Sequence, residues 1–255
     1  MKKLILNEKK YVEDSIINSS ILPSDVSANM AIGYLTKYYY EKNCSLEDII
    51  DIVCKKMNEF NLDVLLYQDY KAVSRIKKYY NALESNKLDK LRDNNNIPLY
   101  QSEYDNIMQC DNDKEKKVLF TLYILGRFTN RYGWVYQSET DIYKLANVST
   151  TVQNRNDIFA SLLSKGFIKD TKKVNDLKVG VNLSNGINDD IVLSVDKLEY
   201  LGNQLMAFIK PGYKVCENCG RLIKIKGNRQ KYCEKCYEKI NCKMTNERQK
   251  QQRNG

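Results

Sequence analysis

Cys216-Glu217-Asn218-Cys219-Gly220 and, further on, Cys233-Glu234-Lys235-Cys236 decide how the end of this 255-residue chain folds. The spacing is CxxC-x13-CxxC. Zinc accepts four thiolates at the corners of a tetrahedron, and two CxxC pairs deliver them with little strain. A glycine after the second cysteine lets backbone amides turn toward the sulfurs. Between the pairs, Leu222-Ile223-Lys224-Ile225 and Gln230-Lys231-Tyr232 are the expected strands of a hairpin joined through Gly227-Asn228. A dithiol redox site or two disulfides would be the competing chemistry. Neither motif opens a helix after a thioredoxin-like strand, and the start of the chain has an apolar stretch too short for a signal peptide. The sequence therefore predicts a Zn²⁺ held by Cys216, Cys219, Cys233 and Cys236, with Cys242 a spare thiol.

Residues 237–253 read as a helix that follows directly on the last ligand, which resembles a treble-clef or zinc-ribbon module. At about 100° per residue, Lys243, Asn246, Lys250 and Arg253 all fall within about 40° of Lys239. Tyr237, Ile240 and Met244 form a separate stripe expected to pack on the hairpin. Four cations and an amide on one flank suit phosphate contact or groove entry.

The charge distribution supports this. Residues 210–255 hold 13 Lys/Arg against 4 Asp/Glu, a difference of +9, and the other residues hold 28 of each sign. Four thiolates and one Zn²⁺ would add about −2, leaving the tail at about +7. An anionic partner, double-stranded DNA foremost, is the expectation.

Working outward, the first third reads as a helical bundle. Ser24 or Asp25 is the expected cap of a helix to about Lys42, with Met30, Ala31, Tyr34, Leu35 and Tyr38 on one face. Ser45 caps a second, whose Ile49, Val53, Cys54, Met57 and Phe60 recur at helical spacing. A third, from about Asp63, places Leu66, Tyr70, Val73, Ile76, Tyr80 and Leu83 on a stripe read as core. The polar run 86–96 before Pro98 marks a boundary. Then comes a helix over about 114–130. Ser138 caps a short helix, Asn147-Val148-Ser149 turns, and a helix from Thr150 or Thr151 to Gly166 is expected to bury Val152, Phe159, Leu162 and Leu163. A strand at 167–169 follows, and 177–183 with 191–195 would make a hairpin around Ser184-Asn185-Gly186. That order is winged-helix grammar. The fold expected is mainly α with small β: a helical domain over 1–95, a winged-helix-like domain over 96–200 and a four-cysteine zinc finger with a basic helix over 201–255.

The run Asn29-Met-Ala-Ile-Gly-Tyr-Leu-Thr-Lys-Tyr-Tyr-Tyr40, the Asp141-Ile-Tyr-Lys-Leu-Ala-Asn147 helix and the terminal cysteines together resemble uncharacterised proteins of Firmicute phages and prophages. The resemblance spans most of the chain and implies a mobile-element origin. It implies no settled activity and carries no functional residues over.

Two functions follow from these residues. One is a DNA-binding protein, regulatory or replication-associated, with Lys239, Lys243, Asn246, Lys250 and Arg253 on phosphates. At the start of the second middle helix, Thr151, Gln153, Asn154 and Arg155 would then face base edges. The other is a protein-interaction factor that inhibits or redirects a host defence or transcription complex. Residues 138–176 hold six basic and five acidic side chains, a nearly neutral surface that serves protein contact as well as DNA. An enzyme is not expected: histidine is absent, and there is no GxxxxGK[ST], GxGxxG or GxSxG. The longest largely apolar run, 118–125, is too short for a bilayer, and a cytoplasmic location is expected.

Overall fold

A computed structural model describes residues 4–60, 69–129, 133–170, 179–227 and 229–253, without the side chains of 69, 170, 246 and 248–253. It is mainly α-helical with three small sheets among those residues. The chain divides into two compact units, Met1–Asn95 and Asn96–Gly255.

In the first unit, α1 (Glu8–Val12) runs on into a π-helical turn (Glu13–Ile17). Asn7 caps α1 and bridges to Asp93, while the Glu8 carboxylate accepts from Arg92 Nη2 at 2.6 Å. Three longer helices pack on one another: α2 (Ala28–Glu41), α3 (Leu46–Glu59) and α4 (Asp69–Glu84). Ile32, Leu35, Ile49, Val53, Ala72 and Ile76 form their shared core. Ser45 caps α3 as expected, and Asp48 closes a capping box with it. The cap of α2 is Ser27, not Ser24 or Asp25; its hydroxyl accepts from the Met30 amide. Tyr70 is 65% exposed instead of lying in the core, where Ala72 takes its place. The expected start of that helix at Asp63, with Leu66, falls outside the described residues.

The second unit is built around α6 (Asp113–Phe128), capped by Asn112. Val118, Leu119, Phe120, Leu122, Tyr123, Ile124 and Leu125 are all fully buried. A helix apolar on every side is one surrounded on every side. Here α5 (Gln101–Met108), α7 (Glu139–Leu145), α8 (Val152–Ser164) and α9 (Leu201–Ile209) supply the cover, with β1 (Ile97–Tyr100), β2 (Trp134–Val135) and β4 (Val179–Val181). Ser138 caps α7 and Thr151 caps α8, whose chain leaves through Gly166 at φ 72°. α8 buries Ile158 and Leu162; Val152 and Leu163 are 67% and 45% exposed, against the expectation that they are core.

Strand pairing departs from the local reading. β4 lies between β2 and β3 (Ile168–Asp170), all antiparallel. β5 (Ile191–Val195) pairs with β1, not with β4. Ser184-Asn185-Gly186 is therefore a loop between two sheets. Its anchor is the buried Glu103, which accepts from Arg127 at 2.6 Å and from the Ser184 amide at 2.9 Å. Arg127 also donates to Ser184 O and stacks over Tyr100. Asp189, next to Asp190 in the same loop, accepts from the Ser102 and Ser184 hydroxyls. Among the described residues, no helix is long and apolar enough to cross a membrane.

Candidate metal centre

α9 has no counterpart among the sequence expectations, yet it positions the cysteine module. Leu201, Leu205 and Met206 are buried where it packs on α6. Gly202 lets the helix backbone come against the Ala146 carbonyl, a position where a β-carbon would clash. After α9, β6 (Tyr213–Val215) pairs with β7 (Leu222–Lys224), and α10 spans Glu234–Arg253. The hairpin thus closes around the first cysteine pair. The expected pairing of 222–225 with 230–232 does not form; β7 pairs with β6 instead. Asn228, in the expected turn, lies outside the described residues.

The sulfurs of Cys216, Cys219, Cys233 and Cys236 all lie within 4.8 Å of one another, and none is in a disulfide. A tetrahedron of thiolates around zinc, with bonds of about 2.3 Å, has edges of about 3.8 Å. The Cys219–Cys233 separation is 3.7 Å. The cluster fits such an ion.

Backbone amides finish the pocket. Gly220 N donates to Cys216 O, and Cys216 N to Arg221 O, which folds the first pair into a knuckle. Gly220 takes φ 64°, and a β-carbon there would fall inside the Tyr200 ring. The Cys233 amide donates to Cys216 Sγ at 3.2 Å, and Asn218 Nδ2 to Cys236 Sγ at 3.3 Å. Burial pushes the Cys216 thiol up, but the amides of Cys233, Cys219 and Asn218 outweigh it and hold the group at about 6. Burial raises Cys219 to about 12; the Arg221 amide opposes this and the neighbouring sulfurs add to it. Amide donors favour the ionised form that metal binding requires.

Comparison with protein-family models, curated proteins and solved structures finds no match.

Two supporting residues escape a motif search. Asn203, 3% exposed on α9, donates to Gly220 O at 2.7 Å and accepts from Lys117 Nζ at 3.0 Å. Tyr200 covers Gly220. Both stand upstream of the first cysteine, and no spacing rule points to them.

The basic helix behaves differently from its expectation. Cys236 sits in the first turn of α10, and Ile223 and Tyr232 already fill the apolar side of the cluster. Of the stripe expected to pack on the hairpin, Ile240 is half-buried, whereas Tyr237 and Met244 are 58% and 47% exposed. Lys239, Lys243 and Cys242 are exposed as well. Asn246, Lys250 and Arg253 belong to α10, with side chains outside those described.

The residues expected to read bases sit on α8. Thr151 is spent as its cap, and Gln153 Nε2 donates to Asp157 Oδ1 at 3.3 Å. Asn154 is exposed. Arg155 turns inward, 5.1 Å over the Tyr143 ring and 3.9 Å from Glu139. Asn154 borders a cleft of about 590 Å³ whose charged lining is Asp113, Lys114, Glu115 and Asp157.

Proposed function

We propose that this protein binds one structural zinc ion through Cys216, Cys219, Cys233 and Cys236 and contacts duplex DNA through α10. In this reading the last fifty-odd residues are a treble-clef-like finger, and α6, β2, α7, α8, β3 and β4 compose a winged helix. The resemblance to phage and prophage proteins adds a regulatory or replication-associated role. The observation that carries the proposal is α10 itself. Beyond the cysteine cluster its described side chains are exposed except for the half-buried Ile240, and Lys239 and Lys243 are among the exposed ones. A 20-residue helix extends about 30 Å, enough to follow a groove. The ion's part is to fix the first turn, and hence the direction, of that helix.

The test is the salt dependence of duplex binding by the intact protein and by Lys239→Gln/Lys243→Gln. If both lysines meet phosphates, the slope of log K against log salt flattens by up to about 1.8, at roughly 0.9 per phosphate. An unchanged slope removes α10 from the interface.

A second reading applies to α8. Its one cation near the N-terminus is tied to Tyr143 and Glu139, and the adjoining cleft has Asp157 as an acid with no lysine or arginine paired to it among the described residues, Asp113 and Glu115 being paired with Lys210 and Lys165. Such a surface suits a basic segment of a protein partner, such as a host defence or transcription complex, better than a phosphate backbone. Pull-down by the wild type but not by Asp157→Lys supports that reading; equal recovery removes it.

A further inference from the structure

The base of α10 adjoins a second concave surface, of about 420 Å³, lined by Lys226, Arg229, Gln230, Lys231, Tyr232, Glu234 and Tyr237. Its chemistry is unlike that of the cleft beside α8. Lys226, Arg229 and Lys231 are exposed, and among the described residues no carboxylate pairs with any of them. Tyr237 is 58% exposed at the rim. Tyr232 is held in place against the cysteine cluster. Gln230 is fixed too: its Oε1 accepts from the Lys226 amide at 2.8 Å.

We propose that this concavity binds one unpaired nucleotide of a single-stranded segment, its base stacked on Tyr237 and its flanking phosphates met by Lys226, Arg229 and Lys231. The inference rests on the reading of the finger as a nucleic-acid module and adds a strand preference to it. Size argues for it: ligand clefts run from roughly 300 to 1,000 Å³, and this one is at the small end, suited to one nucleotide and not to the face of a duplex. Cations interleaved with aromatic faces are what single strands require, since every base offers a π-face only once it is unpaired. Glu234, the lone acid in the lining, would repel a phosphate beside it. Its carboxylate suits the base edge, where it accepts from an exocyclic amine. The site therefore has a polarity, with phosphates toward Lys226, Arg229 and Lys231 and the base toward Glu234 and Tyr237.

The experiment measures binding of the full-length, metal-loaded protein to a fluorescein-labelled oligo-dC strand and to a mixed-sequence duplex of equal length. It compares the wild type with Tyr237→Ala and Tyr237→Phe. Retention of the cobalt–thiolate absorption band by each variant shows that the cysteine cluster is intact. Stacking on Tyr237 predicts that the alanine variant loses roughly 5- to 100-fold on the single strand, that phenylalanine restores it, and that duplex affinity stays within about two-fold. Undiminished single-strand binding by Tyr237→Ala overturns the proposal while leaving duplex contact by α10 standing. An equal loss on both ligands also overturns it, because the residue would then serve the finger as a whole. Failure of the wild type to bind either ligand sinks both readings together. Displacement of the strand by free dCMP with an affinity equal to the strand's own would reassign the concavity to a small nucleotide.

Discussion

The Asn203 side chain joins the carbonyl of the buried Gly220 to the half-buried Lys117 ammonium. Its Nδ2 donates to Gly220 O at 2.7 Å and its Oδ1 accepts from Lys117 Nζ at 3.0 Å. Burial already pushes the Lys117 ammonium below the usual lysine range. Leucine at 203 would fit the surrounding apolar contacts but satisfy neither group. Stranding a buried donor or acceptor costs about 1–3 kcal/mol, so Asn203→Leu is expected to lose about that much stability in urea unfolding. Aspartate at the same position keeps the bond to Lys117 but offers the Gly220 carbonyl no donor, and recovers only part. Full stability in the leucine variant would mean that water reaches the knuckle. Such a residue is invisible to sequence reasoning because its role depends on a helix and a glycine brought together by folding. The four cysteines are legible for the opposite reason: each pair is a local device, and metal chemistry fixes its spacing.

At the scale of elements, what could be read beforehand is what the neighbouring residues decide. Ser45 at the start of α3, Ser138 with the Asp141 amide, and Gly166 at the end of α8 are short-range geometry, and each falls where its spacing puts it. Pairing is not local. Ser184-Asn185-Gly186 has hairpin chemistry, yet β5 crosses to β1, almost a hundred residues upstream, because Glu103 and Arg127 hold the loop between them. The same holds for β7, whose alternation cannot say whether 213–215 or 230–232 lies beside it. α8 shows how a polar helix face can mislead. Arg155 belongs to a surface-facing stretch in sequence, but its guanidinium lies over Tyr143, with a side chain 23% exposed. Cation–π contact contributes about 0.5–1 kcal/mol at such sites. Arg155→Ala is accordingly expected to lower stability by about 1 kcal/mol and to leave duplex affinity unchanged. Asn154→Ala, at an exposed position, should stay within about 0.5 kcal/mol. A large loss of DNA affinity at unchanged stability would show that Arg155 leaves Tyr143 to meet phosphate.

Over the whole molecule, charge and shape make opposite predictions about metal removal. The entire formal excess of +9 belongs to residues 210–255, where 13 cations face 4 acids. With four thiolates around one divalent ion the tail carries about +7; with the ion stripped and the thiols protonated it returns to about +9. If DNA binding were a matter of net charge alone, chelation under reducing conditions would strengthen it. If binding depends on α10 being directed by the cluster, chelation weakens it despite the added charge, since Cys233 and Cys236 no longer hold the first turn. We expect the second outcome, a loss of about ten-fold or more at moderate salt, reversed by stoichiometric zinc. Circular dichroism of the stripped protein should show a limited loss of helix. The Met1–Asn95 unit has its own core of Ile32, Leu35, Ile49, Val53 and Ile76, and α6 keeps its cover from α5, α7 and α8. Equal or tighter duplex binding by the stripped protein would mean that the tail acts as a loose polycation, and that the cluster serves the fold of its own module and nothing further along α10.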